Sequence, residues 1–221
     1  MKIIDLTLPL DDRHRDFHPP RHPDFNLEVF ARLKTHFRHN TKISMSIHTG
    51  SHVEGPNHAV EGGASIDQIP LDRFLGDGVK LDLRHAGEMS ELNAQALKDA
   101  LNGNDLRGKI AVLNTGWMEA APDRMAFFMK GPALTDDAGR WLLDQGVKSI
   151  AVDFEIDRLT EKSPTYEDFA LHRILLGGGI PVIEFVCNLH LLPETGFQII
   201  ALPLPMAGAD GSPVRAVGVA E

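Results

Sequence analysis

From residue 79 onward, short apolar runs alternate with segments that carry helix start and stop signals, and this constrains the fold more than any other feature. Residues 79–83, 110–113, 150–154 and 180–186 are short, apolar and bounded by polar or glycine-containing stretches, which reads as strand. Ser90 is placed to cap a helix running to Leu101, and Thr135 to cap a helix over 136–145 that Gly146 stops. A further helix over 166–176 closes on Gly177-Gly178-Gly179, and 197–202 and 214–219 read as the last strands.

The first third is richer in strand. Residues 2–8 read as a strand, a Pro/His/Asp-rich loop covers 9–23, and two strands follow at 27–33 and 42–48. In the last of these, Ile43, Met45 and Ile47 alternate with Ser44, Ser46 and His48, a period of two that puts His48 on the serine face. Residues 49–77 look irregular. No internal repeat, low-complexity tract or linker interrupts the chain, so the expectation is one α/β domain over residues 1–221 with a mixed sheet.

Composition narrows the function classes. Of 221 residues, 43% are apolar and 24% charged, enough to build a core, and the formal net charge is −9. No dense Lys/Arg run is present, so neither nucleic acid nor an anionic membrane is an expected partner. No apolar run reaches the length of a membrane span and the first residues lack a signal-peptide core, which reads as a cytoplasmic protein. The single cysteine, Cys187, lies in the apolar run Ile183-Glu184-Phe185-Val186-Cys187 and reads as a buried structural thiol, not a nucleophile.

The chemistry is concentrated in one segment, His48-Thr49-Gly50-Ser51-His52-Val53-Glu54-Gly55-Pro56-Asn57-His58. His48, His52, Glu54 and His58 are all metal-ligand or proton-carrier types. His52 and Glu54, two apart, point the same way from an extended backbone, with Val53 opposite. Gly50 can adopt the backbone angle that turns His52 back toward His48, and Gly55-Pro56 redirects the chain before His58. A chance surface cluster is the bland alternative, since the chain has eleven histidines. Two distant residues weigh against it. Glu184 sits in an otherwise apolar strand, where a carboxylate needs a partner or a metal. His172 shares its helix face with Phe169, Leu175 and Leu176, so it faces the core.

The segment HTGSHVEGPNH resembles the HxGTHxDxPxH signature of the cyclase-like metal hydrolases, the family of bacterial kynurenine formamidase and isatin hydrolase. The resemblance extends to Ile4-Asp5-Leu6-Thr7, to the Asn114-Thr115-Gly116-Trp117 turn, to the His172-Arg173-Ile174-Leu175-Leu176 helix with Glu184, and to the ending, Ala201-Leu202-Pro203-Leu204 followed by Gly208 through Ala216 with Asp210 among them. It implies a swivelling β/β/α-type domain. It also implies one divalent metal, zinc or manganese, on His48, His52 and the acid at 54. A second would be held by His172 and Glu184 with residue 54 bridging, and His58 would be the proton-transfer residue. Family members assemble as homodimers or homotetramers. Glu54 stands where the family has Asp, Ser51 where it has Thr, and Val152-Asp153-Phe154-Glu155-Ile156-Asp157 departs from the typical strand end.

The resulting expectation is a hydrolase that cleaves a C–N amide bond, formamide or lactam, of a small molecule with metal-activated water. A lactone hydrolase or cyclase on the same site is the nearest alternative, and a non-catalytic metal-binding module a more distant one. His58 separates the last, because a pure binder needs no further histidine beside its ligands. A serine hydrolase is disfavoured, since no G-x-S-x-G motif is present.

Overall fold

The computed structural model describes residues 1–10, 23, 25–159 and 165–220. In chain order its strands are β1 (Lys2–Asp5), β2 (Asn26–Ala31), β3 (Asn40–Ser44), β4 (His52–Glu54), β5 (Leu75–Asp82), β6 (Glu91–Leu92), β7 (Ile110–Asn114), β8 (Ala133–Leu134), β9 (Ser149–Val152), β10 (Val182–Glu184), β11 (Phe197–Ile200), β12 (Gly211–Pro213) and β13 (Val217–Ala220). The helices are α1 (Leu33–His36), α2 (Ala94–Leu101), α3 (Trp117–Ala120), α4 (Arg124–Lys130), α5 (Asp136–Gln145) and α6 (Ala170–Gly177).

Nine strands form one mixed sheet in the order β1-β13-β11-β5-β7-β9-β10-β4-β12. Its centre, β5-β7-β9-β10, is parallel, because each of these strands returns through helix. Antiparallel strands extend it on both sides. This is the α/β architecture with a mixed sheet expected from the sequence.

The central strands are apolar throughout because both faces are covered. Alternation along β7 divides them: Ala111 and Leu113 join the cluster beneath α2, α5 and α6, with Leu97, Leu142 and Leu175. Ile110 and Val112 join a second cluster with Val53, Phe74, Ile183 and Ile199. Gly146 closes α5 with φ +67°, where its lack of a Cβ lets the chain turn left-handed.

Local readings need correction. The strand expected over 42–48 ends at Ser44, and its apolar alternation does not continue as strand. A Thr49 N–H to Ser46 carbonyl bond turns the chain first, so His48 lies in a turn and owes its direction to that turn, not to a strand face. Residues 49–77, expected to be irregular, contain β4 and the start of β5. Ser90 is not the cap of α2: β6 intervenes, and Asn93 accepts the Ala96 N–H at 3.0 Å. Helices α3 and α4, β8, and the break between β12 and β13 have no counterpart in the sequence reading. Most of the Pro/His/Asp-rich loop over 9–23 lies outside the described residues. Among the described residues no helix is long and apolar enough to cross a membrane.

Candidate metal centre

Strand register assembles the first half of the site. On β4, His52 and Glu54 share one face while Val53 enters the second core cluster. β10 runs antiparallel beside it with Glu184 opposite His52 and Val182 opposite Glu54, so Glu184 projects on the same face. Gly50 adopts φ +68° and its carbonyl accepts His52 Nδ1–H at 2.8 Å. Ser51 ties the turn to its neighbours, accepting the Leu8 N–H at 2.8 Å and donating to the Phe185 carbonyl at 2.6 Å.

The second half comes from α6 and the loop after β9. Asp157 accepts the backbone N–H groups of Leu171 at 2.9 Å and His172 at 3.2 Å, and His172 Nδ1 at 2.5 Å. One carboxylate thereby holds both the first turn of the helix and the imidazole it presents. His172 Nε2 then lies 3.1 Å from Glu54 Oε2 and 3.6 Å from Glu184 Oε1.

All six residues singled out in the sequence converge. Glu54 Oε1 is 2.8 Å from His48 Nδ1, 3.3 Å from His52 Nε2 and 3.4 Å from His58 Nε2. His52 Nε2 is 3.6 Å from Glu184 Oε2. Three groups of ligand atoms lie close enough to hold a cation: His48, Glu54 and His58; His52, Glu54 and Glu184; and Glu155, His172 and Glu184.

The hydrogen bonds on the outer side of each ring fix which nitrogen faces inward. Donation from His52 Nδ1 to Gly50 and from His172 Nδ1 to Asp157 leaves both Nε2 lone pairs directed at the site. His48 is mounted the other way, with Nε2 2.8 Å from Asp210 Oδ2 and Nδ1 inward. The same Asp210 oxygen is 3.2 Å from His58 Nδ1.

Burial and mutual contact shift the carboxylates of the site in opposite directions. Burial opposes ionisation of Glu54, but the facing imidazoles of His58 and His172 and bonds from His172 and His48 hold it well below the usual carboxylate range. Burial pushes Glu184 well above that range, and Glu54 and Glu155 push it further. Glu155 is raised to about 7 by burial, a rise that His172 opposes and Asp157 and Glu54 reinforce. Although burial disfavours charge on His48, Asp210 and Glu54 raise it to about 9, whereas burial lowers His52. Glu184 Oε1 is buried and, among the described residues, accepts no hydrogen bond, while the equally buried Glu54 Oε2 lies 3.1 Å from His172 Nε2. An orphaned buried carboxylate oxygen among inward-facing imidazoles fits a divalent metal.

Three carboxylates here were not singled out as site residues from the sequence. Asp157 and Asp210 orient the imidazoles, and Glu155 belongs to the third group. Glu155 and Asp157 are spaced two apart just after an apolar strand, a signal that the buried-carboxylate argument used for Glu184 could have found. Asp210 carries no such signal, because only the pairing of β12 with β4 brings it to His48. Nearby, Asp153 accepts the N–H groups of Thr115 and Gly116 and the Thr115 hydroxyl, fixing the turn before α3. Cys187 is buried and its thiol is pushed up to about 11.

A cleft of about 480 Å³ opens beside His58, lined also by Val60, Tyr166, Phe169 and Arg173. The Arg173 guanidinium stacks 3.7 Å from the centre of the Tyr166 ring. A larger cleft of about 790 Å³ lies at the N-terminal ends of β5 and β7, near Gly78 and Lys109, away from the metal-ligand groups.

Fold and site together define a hydrolase-type α/β scaffold built around a candidate His/Glu metal centre. Residues 4–158 match the family described as putative cyclase, and the chain belongs to that family. Kynurenine formamidase of Bacillus cereus is 28% identical over 216 residues, covering 97% of this chain and 95% of the relative. Isatin hydrolase A from Labrenzia aggregata, bound to benzyl benzoate, superposes with a TM-score of 0.86 at 25% identity, covering 99% of this chain and 93% of that one. Isatin hydrolase A from Ralstonia solanacearum shares the fold, with a TM-score of 0.85 at 24% identity over 100% of this chain and 92% of that one.

Proposed function

We propose that this protein is a divalent-metal-dependent hydrolase that cleaves a C–N amide bond of a small molecule, a formamide or a lactam. The observation that carries this reading is the gathering of His48, His52, Glu54, His172 and Glu184 into overlapping groups of buried ligand atoms, where Glu184 Oε1 accepts no hydrogen bond among the described residues. Its relatives, a kynurenine formamidase and an isatin hydrolase, support the reaction class. Those five residues would hold zinc or manganese, one or two ions per chain. Bound there, a divalent metal supplies Lewis acidity and brings the pKa of its water toward about 7.

The chain's own groups do the rest. Gly50 and Asp157 hold His52 and His172 with Nε2 inward, and Asp210 holds His48 with Nδ1 inward, so the three rings are oriented toward the site by partners outside it. Among the described residues His58 is the one histidine of the cluster that also lines the cleft. With Nδ1 held by Asp210, its Nε2, 3.4 Å from Glu54 Oε1, would take a proton from the attacking water and return it to the leaving nitrogen. Val60 and Phe169 offer an apolar wall for the substrate body. The same reading includes assembly as a homodimer or homotetramer, supported by exposed apolar residues on β2 and β3.

The test is a panel of formamides, lactams and lactones assayed with zinc- and manganese-loaded protein. Turnover of amides that is abolished by chelation supports the proposal. Turnover confined to lactones, or none with either metal, contradicts it.

A further inference from the structure

Glu155, His172 and Glu184 each bring a ligand atom within 4.8 Å of the others. Glu155 stands between two carboxylates with evident structural tasks: Asp153 holds the Thr115–Gly116 turn, and Asp157 holds His172 and the start of α6. Glu155 has no comparable task. Among the described residues it accepts a long bond, 3.4 Å from the Asp157 N–H to its own Oε1. Beside it, Glu184 Oε1 is buried, accepts no hydrogen bond among the described residues, and lies 3.6 Å from the inward Nε2 of His172. A buried, unpartnered carboxylate oxygen and an oriented imidazole nitrogen thus face the same space as Glu155. The sequence of this loop is also where the chain departs from the family pattern, so the family resemblance assigns Glu155 no role.

We propose that Glu155 is a metal ligand which, with His172 and Glu184, builds a carboxylate-rich cation site distinct in donor character from the imidazole-rich group of His48, His52 and Glu54. Two carboxylates and one imidazole suit a hard divalent cation such as manganese, while the imidazole-rich group suits zinc. The two halves of the centre therefore differ in metal preference. The proposal rests on the reading of His172 and Glu184 as ligands and adds to it the third ligand and the selectivity.

The experiment titrates metal-free protein with manganese(II), following unbound manganese by electron paramagnetic resonance, and measures bound zinc separately by mass spectrometry. Glu155→Gln, nearly isosteric, is expected to weaken manganese binding about tenfold or more, since even outer-shell partners of a metal contribute that much. Zinc bound through His48, His52 and Glu54 is expected to stay unchanged. Manganese binding that Glu155→Gln leaves intact overturns the proposal while sparing the hydrolase reading. Wild-type protein that binds neither metal overturns both. A check that needs no variant is anomalous diffraction from wild-type crystals soaked in manganese chloride. A peak within bonding distance of the Glu155 carboxylate supports the assignment, and a peak bonded to His172 and Glu184 but not to Glu155 refutes it.

Discussion

His58 Nδ1 lies 3.2 Å from Asp210 Oδ2, the same oxygen that sits 2.8 Å from His48 Nε2. One carboxylate therefore orients an inward-facing metal-ligand candidate and the proposed proton carrier together. Removing His58 as His58→Ala is expected to lower kcat by roughly 10²–10⁴ while metal content and Tm stay unchanged. Asp210→Asn, which cannot hold both rings as a charged acceptor, is expected to lower kcat with little change in KM. Steady-state kinetics paired with metal analysis decides the matter. A loss of metal in His58→Ala makes His58 a ligand, as its place beside His48 and Glu54 also permits.

Glu54 faces four imidazoles, three through Oε1 and His172 through Oε2. Shortening it as Glu54→Asp restores the residue usual in the family but withdraws the carboxylate from all four. The expected result is a normally folded protein with altered metal stoichiometry or a metal affinity changed by about 10- to 100-fold. Unchanged stoichiometry, affinity and rate would mean that the longer side chain is neutral.

Cys187 tests the buried-thiol reading through pH. Burial pushes its pKa from the ordinary 9.0 to about 11, with Glu119 and Asp5 adding to the rise. The folded state favours the neutral thiol, so its contribution to stability is complete below about pH 9 and is lost as pH rises through about 11. Alkylation by iodoacetamide at pH 8 should be roughly a hundredfold slower in the folded protein than in urea, given two pKa units. Equal rates would place the thiolate in solvent.

The β2–β3 pair is separate from the main sheet, and Leu27, Val29, Phe30 and Ile43 on it are exposed. Leu27 and Ile43 are cross-strand partners on one face. An isolated two-stranded sheet is marginal alone, which favours a second copy of the chain as its cover. Light scattering at micromolar concentration is expected to give a dimer or tetramer mass, and Ile43→Lys to reduce it. A monomeric wild type contradicts this.

The sequence was most legible where local pattern and packing agree. The apolar runs that became β5, β7, β9 and β10 needed nothing beyond burial on both faces, and Thr135 and Gly146 bounded α5 as read. The direction of Val53 against His52 and Glu54 followed from a period of two. His48 lies beside the other candidate ligands, but not by way of a strand face, because a single turn bond at Ser46 outweighs the continuing alternation after Ser44. Asp210 lay in a stretch that resembles the family's ending, but its contact with His48, 162 residues away, was not legible because strand pairing alone joins them. Glu155 and Asp157 were visible as carboxylates, but their roles depend on where α6 returns against β9.

Metal content of wild type against His52→Ala tests the central claim most directly. His52 is fully buried, its Nδ1 is committed to Gly50, and among the described residues its Nε2 faces Glu54, Glu184 and His48. Protein purified with added zinc or manganese and dialysed should retain one to two divalent ions per wild-type chain. His52→Ala should lose at least one of them while circular dichroism shows the fold retained. Near-zero, equal metal in both proteins would contradict the account.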